Sequence, residues 1–519
     1  MTDQPKWFQT TAIDYPNSLP HIGTAFEKLG ADVQARYRRM EGYAVTFLMG
    51  NDENTLKVAD KAKELGVDVQ AYCDDMATQF RTVWDVLDIS YDIFIQTSHD
   101  RHKQCCRKFI QTVFNNGYIY KGEYQGWYCP GCEEFKSEKL HAESAGQCPN
   151  HRRPLIRRSE PCYYFKQSAF KDRLLAYLKD NPAFLQPEHR RNEMIGFLEN
   201  EGLDDINISR AGEQWGIRLP FDPEFTSYVW FDALLTYITG IGYGDDEAEF
   251  AKQWPCDTHF IGKDITRFHT LLWPAMCWAA GLTAPKHVFS HGFVTVDGTK
   301  MGKSMGNVVQ PLDIVAKSSV DMYRYFFLRE CGYGGDGDYS GQRFEEVCNS
   351  ELANNLGNML SRVITIPAKS YGGTLPNTAG VLPQSTVENF DLSAFVATVR
   401  GHVEACRYNL ALQAIVQDFL TPTNRYIDAQ KPWSLVKTDK DAAKYILLNM
   451  AEALRIAAIL LKPFIPHSAA AIYASVNFPK PWADVSYADA TTLQALPHDF
   501  RVVAELVDGK PKPLFPRIG

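Results

Sequence analysis

Apolar residues recur at Phe26, Leu29, Val33, Tyr37 and Met40, three or four apart, which is the spacing of a helix with one buried face. Gly42 ends it. Ahead of this helix, the β-branched and aromatic run from Trp7 to Tyr15 predicts a strand, and the turn Pro16-Asn17-Ser18-Leu19-Pro20 separates the two. A second apolar run, Ala44 to Met49, stops at the polar corner Gly50-Asn51-Asp52. Helical spacing returns from Leu56 and again from Val69 to Leu87. Ile93 to Gln96 then predicts a strand, and the residues through Phe109 and Val113 a helix. Strand and helix alternating in this way call for a parallel sheet covered on both faces.

The alternation breaks between Tyr118 and Pro220, where short strands, turns, clustered cysteines and the basic pairs Arg152-Arg153 and Arg157-Arg158 follow one another. This stretch reads as an insertion between two halves of a nucleotide-binding domain. The strand pattern resumes with Thr258 to Gly262 and Val288 to His291. From Glu345 onward the chain is helical, with long periodic stretches from Phe395 to Leu420 and from Ala442 to Leu461. The tail from Lys510 is too rich in proline for regular structure.

A length of 519 residues exceeds what one core supports, so several domains are expected. With 45% hydrophobic and 22% charged residues, and no apolar run near the ~18 residues that span a bilayer, the chain reads as an ordinary soluble protein. Its start, Met-Thr-Asp-Gln-Pro-Lys, has no signal-peptide profile, and a cytoplasmic home is expected. Twelve cysteines in such a chain argue for reduced thiols. The net charge of -8 does not exclude a nucleic-acid partner, because phosphate contacts depend on local patches.

Three motifs carry chemistry. Pro20-His21-Ile22-Gly23-Thr24 lies where a strand gives way to a helix, a place where unpaired backbone N–H groups attract phosphate. Alone it would be a structural turn. Far downstream, Lys300-Met301-Gly302-Lys303-Ser304 puts two ammonium groups three residues apart on a loop, suited to charge that builds on departing pyrophosphate. Alone it fits a solvated basic turn equally well. Cys129-Pro130-Gly131-Cys132 and Cys148-Pro149-Asn150-His151 supply three thiolates and an imidazole on two short chelating turns, the design of a closed tetrahedral structural zinc site.

The first two motifs, in this order, resemble the His-Ile-Gly-His and Lys-Met-Ser-Lys-Ser signatures of the class I aminoacyl-tRNA synthetases. Ala12-Ile13-Asp14-Tyr15, Asp52, Tyr228 to Ala233, Phe260 to Asp264 and Phe268 to Pro274 look like segments of the methionyl-tRNA synthetase family. The resemblance implies an α/β fold: a split Rossmann-type parallel-sheet catalytic domain with a zinc-knuckle insertion, followed by an all-α anticodon-binding bundle. The expected segments are 1–117 and 221–295 for the two catalytic halves, 118–220 for the insertion, 296–344 for the lysine loop and stem contact, and 345–519 for the bundle. It also implies that L-methionine and Mg2+-ATP give methionyl-adenylate, from which tRNA(Met) is charged.

By the same likeness His21, Thr24, Lys300 and Lys303 are catalytic. His21, Gly23, Thr24, Gly262, Asp264, His291, Gly292, Val294, Lys300, Lys303 and Ser304 bind ATP. Methionine lies among Ile13, Tyr15, Asp52, Trp230, Ala233, Tyr237, Ile265, His269 and Trp273, with Asp52 on its ammonium. Asn358, Arg362 and Trp433 meet the anticodon, and Cys129, Cys132, Cys148 and His151 hold one structural Zn2+.

The chain departs from the pattern at Thr24, where relatives have a second histidine, at Gly302 in place of serine, and at Asn54-Thr55, where relatives commonly carry His-Gly. Two alternatives stand beside the main reading. One is a class I synthetase for another amino acid; the other is a degenerate paralogue that binds tRNA or a small ligand without chemistry. A monomer is expected, because the chain stops near the point where some relatives begin a dimerising module.

Overall fold

The computed structural model describes residues 4–129, 134–136, 138–149, 152–212, 215–302, 306–375, 391–491, 500–504, 506–507 and 510–519. At its centre is a six-stranded sheet in the order Ile93–Gln96, Ala44–Asn51, Lys6–Thr11, Thr258–Gly262, Val288–His291, Leu185–Gln186. All five pairings are parallel. The inner strands are buried on both faces, as a sheet covered by helices requires. Strand order reverses between Lys6–Thr11 and Thr258–Gly262, and a doubly wound sheet binds its ligand in the crevice at the carboxyl ends of such a pair.

Residues 118–220, expected as an insertion, fold mainly as an antiparallel sheet built on the long ribbon Ile119–Cys129 with Ile156–Phe165. They also return a short strand, Leu185–Gln186, to the edge of the parallel sheet, where it pairs with Val288 and Phe289. Across the 295/296 boundary, Val294–Val296 pairs with both Thr299–Lys300 and Gly337–Tyr339, so the lysine segment is tied to the catalytic domain by its own small sheet.

The helix Ile22–Met40 differs from its expected single buried face, since Glu27, Lys28, Asp32 and Gln34 on its polar side are buried too. The reason is that later helices close over that side. Tyr333 and Tyr408 donate from their hydroxyls to Glu27 O at 2.9 Å and Gly30 O at 2.7 Å. Arg324, fully buried, donates to Asp32 Oδ2 at 2.6 Å and to the carbonyls of Pro463 and Phe464.

The C-terminal part is helical around Lys440–Leu461, which is buried along most of its length. The periodic run from Phe395 to Leu420 is two helices, Leu392–Glu404 and Tyr408–Gln413, followed by wide π-helical turns over Ala414–Leu420. The break falls at Cys406, whose φ is +53°. Apolar periodicity does not register such a turn, because both sides of it face one core. The proline-rich tail packs back on the bundle: Phe515 is buried, and Ile518 exchanges two hydrogen bonds with the Asn349 side chain.

Candidate active site

A cavity of about 430 Å³ opens at the strand-order reversal. Residues 12–15, which leave the first strand, and Gly262, Asp264 and Ile265, which leave its neighbour, form two of its walls. His21, Gly23 and Thr24 form a third, and His291, Gly292, Phe293, Val294, Lys300 and Met301 complete it. Every described residue expected at ATP therefore lines one cavity. Lys303 and Ser304 lie outside the described residues.

His21 caps the helix Ile22–Met40. Its backbone is extended, and its Nδ1 accepts from Gly23 N at 3.1 Å and Thr24 N at 3.2 Å. These amides, expected to face phosphate directly, are thus taken up by the imidazole. An Nδ1 that accepts two N–H donors carries no proton, so the proton sits on Nε2. The two motifs touch at Gly23. A Cβ added there would lie 3.0 Å from His21 Cε1 and 3.2 Å from Met301 Cε. Gly292 is required for a similar reason, since a Cβ would meet Gly335 O at 1.9 Å.

Two residues that sequence reasoning passed over organise the lysine segment. Phe293 lies under Lys300 Nζ at 5.4 Å and Lys263 Nζ at 4.5 Å, so its ring gathers cations at the cavity rim. Asn307 accepts from Gly302 N at 3.0 Å and donates to Lys300 O at 3.2 Å, clasping the segment at its base. Glu27, also on the wall, accepts from Lys28 Nζ at 2.7 Å and pairs with His291 Nε2 at 3.0 Å. The sequence carried no signal for it, because Glu27 sits on the polar side of its helix and its burial comes from segments far downstream.

Of the residues expected at methionine, Ile13, Tyr15, Trp230 and Ile265 line this cavity. Asp52, Ala233, Tyr237, His269 and Trp273 are nearly or fully buried and are not on its wall. Tyr237 packs against both His269 and Trp273, with ring centroids 5.7 and 6.1 Å away. Trp230 stacks on Phe268 with ring centroids 4.0 Å apart, and Tyr237 Oη meets His269 Nε2 at 2.7 Å. His269 Nδ1 donates to Ile265 O at 3.1 Å, so Nε2 accepts from the tyrosine. Burial lowers the His269 pKa to about 4 and keeps the ring neutral. His269 belongs to the π-helical turn Phe268–Leu272, a distortion frequent at functional sites. Asp264 does not cap a helix; Gly262 occupies that position before the turn Lys263–Ile265.

In the helical part, Asn358 and Arg362 line a polar cleft of about 340 Å³ with Asn354, Asn355, Asn424 and Asp428. Arg362 Nη1 binds Asp428 Oδ1 at 2.8 Å, and its guanidinium lies 5.1 Å from the ring of Trp433. The three residues expected at the anticodon are therefore neighbours, with Trp433 39% exposed and open to stacking. Of the expected zinc ligands, Cys129 and Cys148 share a small buried cluster with Leu155, while Cys132 and His151 lie outside the described residues. Among the described residues no three His, Cys, Asp or Glu side chains are grouped to hold a metal.

A family model described as class I tRNA synthetases (M) matches residues 7–154 and 151–364, and one for the anticodon-binding domain of methionyl tRNA ligase matches residues 375–508. The methionine–tRNA ligase of Caldanaerobacter subterraneus subsp. tengcongensis is 42% identical over 470 residues, covering 89% of this chain and 72% of that protein. The methionine–tRNA ligase of Thermosynechococcus vestitus is 41% identical over 483 residues, covering 91% and 90%. The crystal structure of Mycobacterium tuberculosis methionyl-tRNA synthetase bound by methionyl-adenylate superposes with a TM-score of 0.86 at 35% identity, over 98% of this chain and 100% of that one. The free form of the same enzyme gives 0.80 at 34% identity, over 100% and 99%.

Proposed function

Because this chain belongs to the methionyl-tRNA synthetases of class I, we propose that the cavity at its strand-order reversal is where methionine and ATP react, through the residues named above. The chain activates L-methionine with ATP and transfers it to tRNA. The observation that carries the site assignment is the meeting of His21, Gly23, Lys300 and Met301 around one cavity.

In the first step a methionine carboxylate oxygen attacks the α-phosphorus of ATP, the bond to the bridging oxygen breaks, and pyrophosphate leaves. No side chain need become covalently attached. His21 directs its Nε2–H at phosphate oxygens, and Lys300 and Lys303 neutralise charge on the departing group, so this is catalysis by positioning and electrostatics. Mg2+ accompanies the nucleotide and shields its phosphates. Gly23, Thr24 and Ser304 belong to the same phosphate region, His291, Gly292 and Val294 hold the adenine, and Gly262 and Asp264 meet the ribose. The thioether lies among Ile13, Tyr15, Trp230, Ala233, Tyr237, Ile265, His269 and Trp273. A neutral His269 suits that company, since polarizable sulfur favours aromatic neighbours and gains nothing from a charge. Asp52 receives the ammonium.

In the second step the 2′-hydroxyl of the terminal adenosine of tRNA(Met) attacks the carbonyl carbon and AMP leaves. Asn358 and Arg362 read anticodon edges and Trp433 stacks on a base. Cys129, Cys132, Cys148 and His151 would hold a structural Zn2+, which would cross-link the two cysteine turns without taking part in the chemistry. Burial of Cys129 and Cys148 in one cluster fits that ligand set. The two catalytic halves 1–117 and 221–295, the insertion 118–220, the lysine-loop region 296–344 and the bundle 345–519 divide this work among them. Because ATP and tRNA are its substrates, the cytoplasm is its place of action.

ATP–pyrophosphate exchange measured across the proteinogenic amino acids tests this reading. Methionine should support exchange strongly and the others weakly. Equal exchange with leucine or isoleucine, or none with methionine, would refute it.

A further inference from the structure

Six of the buried polar atoms that lack a hydrogen-bond partner among the described residues belong to four side chains near this cavity. They are both amide atoms of Asn51, Asp52 Oδ1, Asn54 Oδ1 and both carboxylate oxygens of Asp232. Asp232 is fully buried and Asp52 is 2% exposed. Asp232 stands two residues after Trp230, which lines the cavity. Asp52 donates its backbone N–H to the carbonyl of Asp14, another wall residue, at 2.8 Å. Tyr15, on the same wall, feels both carboxylates.

Neither carboxylate forms an ion pair among the described residues. Asn54 donates to Thr97 O at 3.0 Å and lies beside Asp232, close enough only to temper its charge. Burial, then the charge of Asp52, pushes the Asp232 carboxyl well above the usual carboxylate range. Burial, then Glu53, does the same for Asp52. His102 meets the backbone carbonyl of Asp232, but burial lowers its pKa to about 3, so it supplies no cation. Two carboxylates withdrawn from water with no counter-ion among the described residues, and with only the Asn54 amide beside Asp232, are too costly to stay ionised alone, and they either hold a proton or receive a cation. Their unused acceptor positions suit a compact cation with several N–H donors, which is an ammonium group.

Resting on the reading that Asp52 receives the α-ammonium of methionine, we propose that Asp232 is a second carboxylate of that subsite and shares the ammonium with it. Before methionine arrives the pair holds a proton. The incoming ammonium replaces it, and the proton passes to solvent, so the net charge of the subsite is conserved.

Calorimetric titration of the full chain with L-methionine and with des-amino methionine tests this. Asp232→Asn should weaken L-methionine binding roughly 10-fold or more, while changing the affinity for the des-amino analogue by less than about 2-fold. Asp52→Asn should discriminate in the same way. If Asp52→Asn discriminates and Asp232→Asn weakens both ligands equally or neither, Asp232 is structural only and this inference fails while the role of Asp52 stands. If Asp52→Asn does not discriminate, the underlying reading fails and this one with it. Should the variants not fold, the unaltered chain still decides. L-methionine binding measured in two buffers of different ionisation enthalpy should release protons, and binding without release would refute the shared subsite.

Discussion

Met301 lies against Gly23, so close that a methyl group on the glycine would stand 3.2 Å from the methionine's terminal carbon. The same methyl would stand 3.0 Å from the ring of His21. Histidine turn and lysine segment, far apart along the chain, are thus packed on one another over a glycine.

Gly23→Ala should therefore harm nucleotide chemistry more than stability. Met301 can swing away, but the His21 ring is held by two amides and must shift by a few tenths of an ångström. The expected result is a loss of about 1–2 kcal/mol in transition-state stabilisation, on the order of 10-fold in kcat/KM for ATP. Pyrophosphate-exchange kinetics and a thermal melt of the same sample check it.

His21 has two duties that substitution can separate. His21→Ala removes the helix cap and the phosphate donor together, costing about 1 kcal/mol of stability and on the order of 100-fold in kcat. His21→Asn keeps a capping acceptor. It should restore most of the stability and little of the activity, as read by chemical denaturation beside exchange kinetics.

Thr24 hydrogen-bonds weakly toward His21 at 3.4 Å, and Gly302 N is held by Asn307. Thr24→His and Gly302→Ser should change the ATP-dependent rate by modest factors, up to about 10-fold, and leave methionine affinity nearly unchanged. Direct methionine titration of both variants tests this, and a collapse of binding would contradict the site assignment.

Arg324 and Asp32 join the first helix to the C-terminal bundle with both side chains fully buried. Arg324→Ala leaves Asp32 buried with Arg36 as its remaining cation and Ser90 donating to its other oxygen, and should destabilise the chain by about 3–5 kcal/mol. Denaturant unfolding gives the number directly.

Acid should destabilise the fold in two stages. His269 and His102 have pKa values lowered by burial to about 4 and about 3, from 6.5. Between these values the unfolded chain binds more protons, so stability present above about pH 6.5 is lost progressively as pH falls toward about 4 and then 3. Asp32 follows. Burial alone would raise its pKa, but Arg36 and Arg324 outweigh that and hold it at about 2, so its contribution is lost as pH falls below about 3.8 toward 2. His269→Gln should flatten the first stage by about 3 kcal/mol, measured as the midpoint of urea unfolding against pH.

Much was already legible in the linear chain. Thr258–Gly262 and Val288–His291 are strands over the residues their apolar runs mark, and the first helix ends at the glycine that predicts its end. Strand and helix periods are local consequences of backbone geometry, so they survive without knowledge of neighbours. The signatures at His21 and Lys300 are local too, because a turn that cradles phosphate needs its residue types at fixed spacing.

What local pattern could not determine depends on who packs against whom. The burial of Glu27 and Asp32 follows from segments hundreds of residues downstream closing over their helix. The roles of Phe293 and Asn307 follow from where the lysine segment is pinned. That Asp232 stands by Asp52 with no counter-ion among the described residues is invisible in a motif, where it reads as one acid in an aromatic stretch. Sequence determined which elements form and which residues can do chemistry, since propensity and reactivity belong to the residue. Only the tertiary structure decided which charges lose water and which side chains share a partner, because desolvation and distance are properties of the assembled fold.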